Sequence, residues 1–348
     1  MRLIETSKVT LPINATIKDA IVKLNENSEK IILILDGYQK IVCVITDGDI
    51  RRAILIDNNL DRPAVDIGNK SPLVAKETLG ENQILSLMSK NNIEHIPVVD
   101  SSNKFKFVYR MASRQRNKIT TAVIMAGGLG TRLRPLTENI PKPLADISGK
   151  PILERIILLL IEHDITKIYI SINYLGEMIE QVIGDGSRFG VKIQYVREEE
   201  KLGTAGSLSL IKDQISGNFF VLNADISTRV DLSELSKKHC ANGNIASIAV
   251  AQNEVQIPYG VIMNGDDGKL IWEEKPKYSF LAAVGIYVLS DRIFKYLPEI
   301  PQRVDMPELL IGAQGNKETL SLFPLFETWA DIANIEDLNM VRQTFSNI

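Results

Sequence analysis

From residue 121 onward, short apolar runs alternate with longer mixed stretches. The runs Ala122–Met125, Lys167–Ile172, Ile193–Val196, Phe219–Leu222 and Ile245–Ala251 have strand length and read as buried strands. Between the first two lies Ile152–Glu162, whose apolar residues recur at helical spacing, predicting a helix that packs on the sheet. Such strand–helix alternation is the signature of an α/β fold built on a parallel sheet.

The first 116 residues follow another pattern, and they follow it twice. Ala15–Leu24 reads as an amphipathic helix, Lys30–Asp36 and Ile41–Thr46 as strands around a turn, and the residues up to Arg52 as the start of a second helix. Thr78–Asn91, His95–Asp100 and Phe105–Tyr109 repeat the order roughly 60 residues later. Neither copy alone buries much surface, so the two are expected to pack as a pair. Residues 117–120 form the join. The expected boundaries are 1–60, 61–117 and 118–348.

Composition bounds the answer without deciding it. A chain of 348 residues, 45% hydrophobic and 24% charged, suits a globular protein of more than one domain. A net charge of −3 offers no global basic field for nucleic acid. The local cluster Arg110, Arg114, Arg116 and Lys118 reads as a solvated linker. Cys43 and Cys240 form no framework or zinc pattern and are expected as reduced thiols in a cytoplasmic protein. His95, His163 and His239 show no ligand spacing and are expected in structural or surface roles. Met1–Glu5 lacks the apolar core of a signal peptide, and the run Ile156–Ile161 is too short to span a membrane.

The chemistry concentrates after the strand Ala122–Met125, where the chain reads Ala126-Gly127-Gly128-Leu129-Gly130-Thr131-Arg132 and then Pro141-Lys142-Pro143. Glycines at a strand end let the backbone approach a ligand, and successive bare N–H groups form an anion-binding concavity. Arg132, Arg134 and Lys142 add positive charge beside it. A triphosphate suits such a place. The loop is not a P-loop, because no Gly-Lys-Ser/Thr follows. It fails the dinucleotide fingerprint too, since Leu133 stands where the third glycine belongs. The strand-end Asp225 follows Phe219–Leu222 directly and should share the sheet edge with this loop. Prolines around Lys142, and Pro276 after Lys275, stiffen the segments that carry those charges.

The string from Met125 to Pro143 resembles the signature of the sugar-1-phosphate nucleotidyltransferases. Further likenesses follow in order: Leu202-Gly203-Thr204-Ala205-Gly206-Ser207, Asn223-Ala224-Asp225 with alanine replacing the usual glycine, Glu273-Glu274-Lys275-Pro276, and Trp329-Ala330-Asp331-Ile332-Ala333. The resemblance implies a Rossmann-like, doubly wound mixed sheet of the GT-A-like kind. It implies a nucleoside triphosphate and a sugar 1-phosphate as substrates, and magnesium as cofactor, held by Asp225 and Asp331. Arg132, Lys142 and Lys275 become the catalytic cations. Nucleotide-binding residues become Ala126, Gly127, Gly128, Gly130, Thr131, Gly203, Thr204 and Gly206, with Glu199 or Glu200 accepting from the base. Tyr259, Gly260, Glu274 and Gly285 fall on the sugar side. Ala333 replaces the family's usual glycine, which touches the local geometry there and not the carboxylate.

The amino-terminal half resembles a tandem pair of CBS domains, an α+β module. Thr46-Asp47-Gly48-Asp49 matches that family's Thr/Ser-x-x-Asp, which implies an adenine nucleotide at Thr46 and Asp49. Asp49 is equally suited to capping a helix that begins at Ile50. The second copy has Tyr109-Arg110-Met111-Ala112-Ser113 at that place, without the acid, and Cys43 replaces a usual glycine. A CBS pair ahead of this transferase resembles bacterial enzymes that make GDP-glucosamine for legionaminic acid. That resemblance ranks GTP with glucosamine 1-phosphate first, GTP with mannose 1-phosphate second, and dTTP or UTP with glucose 1-phosphate third. The other class is a nucleotide-sensing regulator with an inactive transferase half. Self-association is expected, with no nucleic-acid or membrane partner.

Overall fold

Seven strands form the large sheet: β1 (Thr121–Met125), β2 (Lys167–Ile172), β3 (Lys192–Arg197), β4 (Asn218–Asn223), β5 (Ala246–Gln256), β6 (Lys277–Ser290) and β7 (Leu320–Leu325). Their spatial order is β3-β2-β1-β4-β6-β5-β7. β1 runs parallel to β2 and β4, β2 to β3, and β5 to β7, while β6 runs antiparallel to β4 and makes the sheet mixed. The structure is a computed structural model that describes residues 2–27, 29–57, 59–111, 119–264 and 268–344. Two compact units divide the chain: Met1–Gln115 with Val255–Ser279, and Arg116–Glu254 with Phe280–Ile348.

Alternate side chains of β1 point to opposite faces and enter different cores. Ala122 and Ile124 join Ile152, Leu153, Ile156, Ile157 and Leu160 of the helix Ile152–Glu162. Val123 joins Met306, Leu309 and Leu310 of the helix Met306–Gly315 on the other face. A strand covered on both faces must be apolar throughout, which is why β1 reads as a continuous run. After β1 the chain builds outward through β2 and β3, then returns to place β4 on β1's other side. That reversal sets the carboxyl ends of β1 and β4 side by side. Asn223 lies opposite Met125, and the Ala224 N–H donates to the Met125 carbonyl at 3.1 Å. The glycine loop and Asp225 therefore leave the sheet from one edge, at its switch point.

The amino-terminal residues form two small sheets. Thr10–Pro12, Ile31–Leu35 and Ile41–Thr46 make one; Arg2–Ile4, Phe105–Arg110, His95–Val99 and Ala75–Lys76 make the other. Arg2–Ile4 precedes the first copy of the repeat yet pairs with Phe105–Arg110 of the second. Ile4, Ile31, Leu33, Val44, Phe105 and Val108 share one apolar cluster, so the copies bury surface against each other. Arg110 is not a solvated linker residue: its guanidinium lies 3.2 Å from the carboxylate of Glu29, which is itself buried. Arg114, Arg116 and Lys118 lie outside the described residues. Cys43 fits where a glycine is usual because Gly68 faces it; a Cβ at Gly68 would stand 2.5 Å from the Cys43 sulfur. Burial pushes the Cys43 thiol up to about 11.

β5 and β6 continue beyond the sheet as an arm. In it Gly260–Asn264 and Leu270–Glu274 pair antiparallel, with Ile262 opposite Trp272. The arm falls within Val255–Ser279, a segment of the first compact unit. Among the described residues no helix is long and apolar enough to cross a membrane.

Candidate active site

The loop after β1 is built on backbone geometry. The Ala126 N–H is tied to the Ser171 carbonyl of β2 at 2.8 Å, which fixes the loop's start. At Gly127 a Cβ would meet Oε1 of Glu198 at 2.8 Å, while at Gly128 it would meet nothing within 4 Å. Gly128 is thus the open face of the loop and Gly127 its close approach. Gly130 takes φ +61°, a left-handed conformation that glycine adopts without strain. A Cβ there would strike Cβ of Lys142 at 2.8 Å, and the Gly130 carbonyl accepts from the Thr137 hydroxyl at 2.7 Å. The missing side chain lets the Pro141-Lys142-Pro143 segment pack directly on the loop. Thr131 and Arg132 then begin a short 3-10 turn, both exposed.

Glu198 is the acid this loop meets, and the sequence reading named its neighbours instead. Glu199 and Glu200 are exposed; Glu198 is buried. Its carboxylate accepts from the Ser171 hydroxyl at 2.6 Å through Oε1 and from the Leu202 N–H at 3.1 Å through Oε2. Each oxygen keeps lone-pair capacity beyond the bond it makes. Three consecutive glutamates look alike in sequence. Only the end of β3, where the Glu198 N–H donates to the Ile172 carbonyl, decides which one turns inward.

Beside the loop, the Lys142 ammonium lies 2.6 Å from Oδ2 of Asp225. The Lys142 side chain is 11% exposed and that of Asp225 28%. Asp331 reaches the same place from the far end of the chain. Ile226–Thr228 and Trp329–Asp331 form a two-stranded ribbon with Ile226 opposite Asp331, and the Ile332 N–H donates to the Asp225 carbonyl at 3.0 Å. The Asp331 carboxyl is held above the usual carboxylate range, first by loss of water and then by the negative charge of Asp225; Lys142 and Arg132 pull the other way. An acid whose proton affinity is raised in part by a second acid beside it suits a cation, and magnesium needs only one or two carboxylates when phosphate oxygens complete its shell. Among the described residues no group of three or more His, Cys, Asp or Glu is poised to hold a metal without such help. His239 is buried and His95 half-buried, and loss of water pushes both down to about 4, which suits structural roles.

The second glycine loop spends its close approaches on the protein itself. Gly203 has φ +78°, and a Cβ there would lie 2.6 Å from the Val304 carbonyl; at Gly206 it would lie 2.5 Å from the Gln302 carbonyl. Thr204 donates its N–H to Asp305 at 3.0 Å, and its hydroxyl accepts from the Met306 N–H at 2.7 Å. These residues anchor the loop to the start of the helix Met306–Gly315. Gly285 in β6, with φ +73°, leaves room for Asn223: a Cβ would stand 2.5 Å from the Asn223 amide nitrogen.

Tyr259, Gly260, Glu274 and Lys275 lie in the arm. Gly260 and Glu274 face each other in its ribbon, and a Cβ at Gly260 would stand 2.9 Å from Oε2 of Glu274. Tyr259 is 74% exposed. Lys275 has φ +49° and donates its N–H to the Tyr259 carbonyl at 3.2 Å, so its position is a strained turn.

In the amino-terminal unit Thr46 caps the helix Asp47–Ile56, three residues earlier than expected. Its N–H and hydroxyl both approach Oδ2 of Asp49, at 2.8 and 2.6 Å, and Oδ1 of Asp49 pairs with Arg52. Asp49 thus acts as a cap partner.

Residues 121–347 match the family described as Nucleotidyl transferase, and residues 3–56 match the CBS domain. The chain is 32% identical over 224 residues to the Danio rerio mannose-1-phosphate guanylyltransferase catalytic subunit beta, covering 62% of each chain. It is 35% identical over 196 residues to the Synechocystis UTP–glucose-1-phosphate uridylyltransferase, covering 51% of this chain and 50% of that one. Its fold resembles the crystal structure of HddC from Yersinia pseudotuberculosis with a TM-score of 0.52 at 26% identity, over 65% of this chain and 100% of that one. A second HddC structure, complexed with GMP-PN, matches with a TM-score of 0.51.

Proposed function

The chain belongs to the nucleotidyl transferase family, and from that premise we propose that it transfers a guanylyl group from GTP to a sugar 1-phosphate, releasing pyrophosphate. The observation that carries this reading is the meeting of the Gly127–Thr131 loop, Lys142, Asp225 and Asp331 at one sheet edge, a place built for phosphates and a divalent ion. A phosphate oxygen of the sugar attacks the α-phosphorus, the bond to the β-phosphate oxygen breaks, and pyrophosphate leaves. The nucleophile is already an anion, so no general base is needed. The task is to bring two polyanions together and to hold the charge that develops.

In this scheme the loop N–H groups and Arg132 hold the leaving phosphates. Lys142 serves the phosphates near the reacting centre, as a compact point charge. Lys275 holds the sugar phosphate. Magnesium, held by Asp225 and Asp331, would neutralise phosphate charge.

Guanine is favoured by Glu198. A carboxylate clamped by Ser171 and the Leu202 N–H has capacity left for two parallel donors, and guanine presents two through N1–H and its amino group. Thymine and uracil present one. The Danio rerio relative is a guanylyltransferase and HddC has been crystallised with GMP-PN, which agrees with this choice. For the sugar, glucosamine 1-phosphate stands first on the resemblance carried by the CBS pair ahead of the transferase, and Glu274 could face its amine; mannose 1-phosphate stands second, and glucose 1-phosphate with dTTP or UTP third. The retention of Lys142, Asp225 and Lys275 argues against an inactive regulator.

The test is a matrix of four nucleoside triphosphates against several hexose 1-phosphates with magnesium, read by product mass. A GDP-sugar is expected. Products carrying UDP or dTDP alone would refute the guanine assignment, and no pyrophosphate release with any pair would refute the reaction.

A further inference from the structure

We infer that Lys142 is the resident counter-ion of Asp225 and that it makes the site selective for a metal–triphosphate complex over the bare divalent ion. The inference rests on the assignment of Asp225 and Asp331 as metal-holding acids. It concerns Lys142, whose part in chemistry would by itself require only that it reach a phosphate.

The geometry is that of a filled position. The Lys142 ammonium occupies Oδ2 of Asp225 at 2.6 Å. Its stem is pinned from behind, since Gly130 packs against its Cβ and the residue begins a short turn between two prolines. The side chain is nearly buried, so the ammonium does not swing freely into solvent. An incoming bare ion would have to displace this charge or share Asp225 with it. It would find the carboxylates of Asp225 and Asp331, with the charges of Lys142 and Arg132 acting on Asp331 as well.

Magnesium gives up its water reluctantly and wants anionic oxygen, so that exchange is unfavourable for the ion alone. A triphosphate changes the balance twice. Its oxygens complete the ion's shell, and they offer the ammonium a new anionic partner. Lys142 would then pass from Asp225 to the phosphates and leave that carboxylate free to hold the ion. Metal and nucleotide would bind as one unit, and without them Asp225 stays paired with Lys142.

The probe is Mn2+ alone, titrated into the metal-stripped full chain and read as free ion by electron paramagnetic resonance. Wild type is expected to bind it weakly, and Lys142→Gln at least roughly tenfold more tightly, the scale of removing one unit charge beside a partly exposed ion site. Lys142→Arg, which keeps the charge, should stay weak, and the double variant Lys142→Gln/Asp225→Asn should lose the gain. Melting curves establish that each variant is folded, and Lys142→Met, which keeps the packed stem, carries the same expectation as Lys142→Gln.

Equal or weaker Mn2+ binding by folded Lys142→Gln or Lys142→Met overturns the inference, as does tight binding of bare Mn2+ by wild type. The transferase reading fails separately. A chain that makes no nucleotide sugar but shows the gain leaves the counter-ion role standing, and an active enzyme without the gain sinks that role alone.

Discussion

Gly127 and Glu198 are held so close that a methyl group on one would lie 2.8 Å from a carboxylate oxygen of the other. The oxygen belongs to a buried side chain bonded to both Ser171 and Leu202, so it cannot step aside without breaking one of those bonds. Gly127→Ala should therefore turn the carboxylate away from its base-reading position. The expected result is a KM for GTP raised about tenfold, the loss of one charge-assisted hydrogen bond, with turnover changed less. Steady-state kinetics checks it. An unchanged KM for GTP would remove Glu198 from the base site.

That relationship also marks how far the sequence alone can be read. The strands β1 to β4 and the helix Ile152–Glu162 were legible because apolar periodicity reports local burial directly. Asp225 and the glycine loop were placed on one edge because strand ends in such sheets share it, and the Ala224–Met125 bond realises this. Glu198, which we propose as the base acceptor, is separated from two identical neighbours only by the register of β3. The roles of Gly203 and Gly206 looked like ligand approach, yet their partners are the carbonyls of Val304 and Gln302, about a hundred residues on. Arg110 read as linker because its partner Glu29 lies 81 residues away. Contacts of that range leave no local signal.

Asp331 makes a pH prediction whose sign follows from its raised proton affinity. In the window above the ordinary aspartate value of 3.8, the folded chain holds this proton more tightly than the unfolded chain does. The contribution of this one carboxyl to the stability of the metal-free protein should then fall as pH rises through that window, opposite in sign to that of acids such as Asp305 whose proton affinity is lowered. Asp225→Asn removes the like charge that is the second cause of the shift and should flatten this dependence. Adding a divalent ion with nucleotide, which favours the charged acids, should raise the melting temperature above the window. Thermal melts in chelator across pH, on both proteins, test the slope.

Lys275 combines a charge with a left-handed backbone, and two substitutions separate them. Glycine accepts φ +49° freely, whereas lysine and alanine both carry its strain of about 1 kcal/mol. Lys275→Gly and Lys275→Ala should both lower kcat/KM for the sugar 1-phosphate by roughly two orders of magnitude, as expected for losing one transition-state partner. The KM for GTP should change little in either. Only Lys275→Gly relieves the strain, so it should melt no lower than Lys275→Ala, which should stay near wild type. A comparable loss on the GTP side would reassign Lys275 away from the sugar phosphate.

The helix Asp47–Ile56 carries two ion pairs of very different weight. Arg51 is 1% exposed and grips Asp47 through Nε and Nη2 at 2.8 and 2.7 Å, both partners lying in the interior. Arg51→Ala would strand the Asp47 carboxylate away from water and should destabilise the protein by about 3–5 kcal/mol. Asp49→Ala removes a cap partner at the surface and should cost only about 1 kcal/mol. Denaturant melts measure both. The mild variant then isolates function from folding: if Thr46 and Asp49 receive an adenine nucleotide, titrating AMP, ADP and ATP should change transferase activity in wild type and not in Asp49→Ala. Matching flat responses in the two proteins would leave Asp49 with its capping role alone.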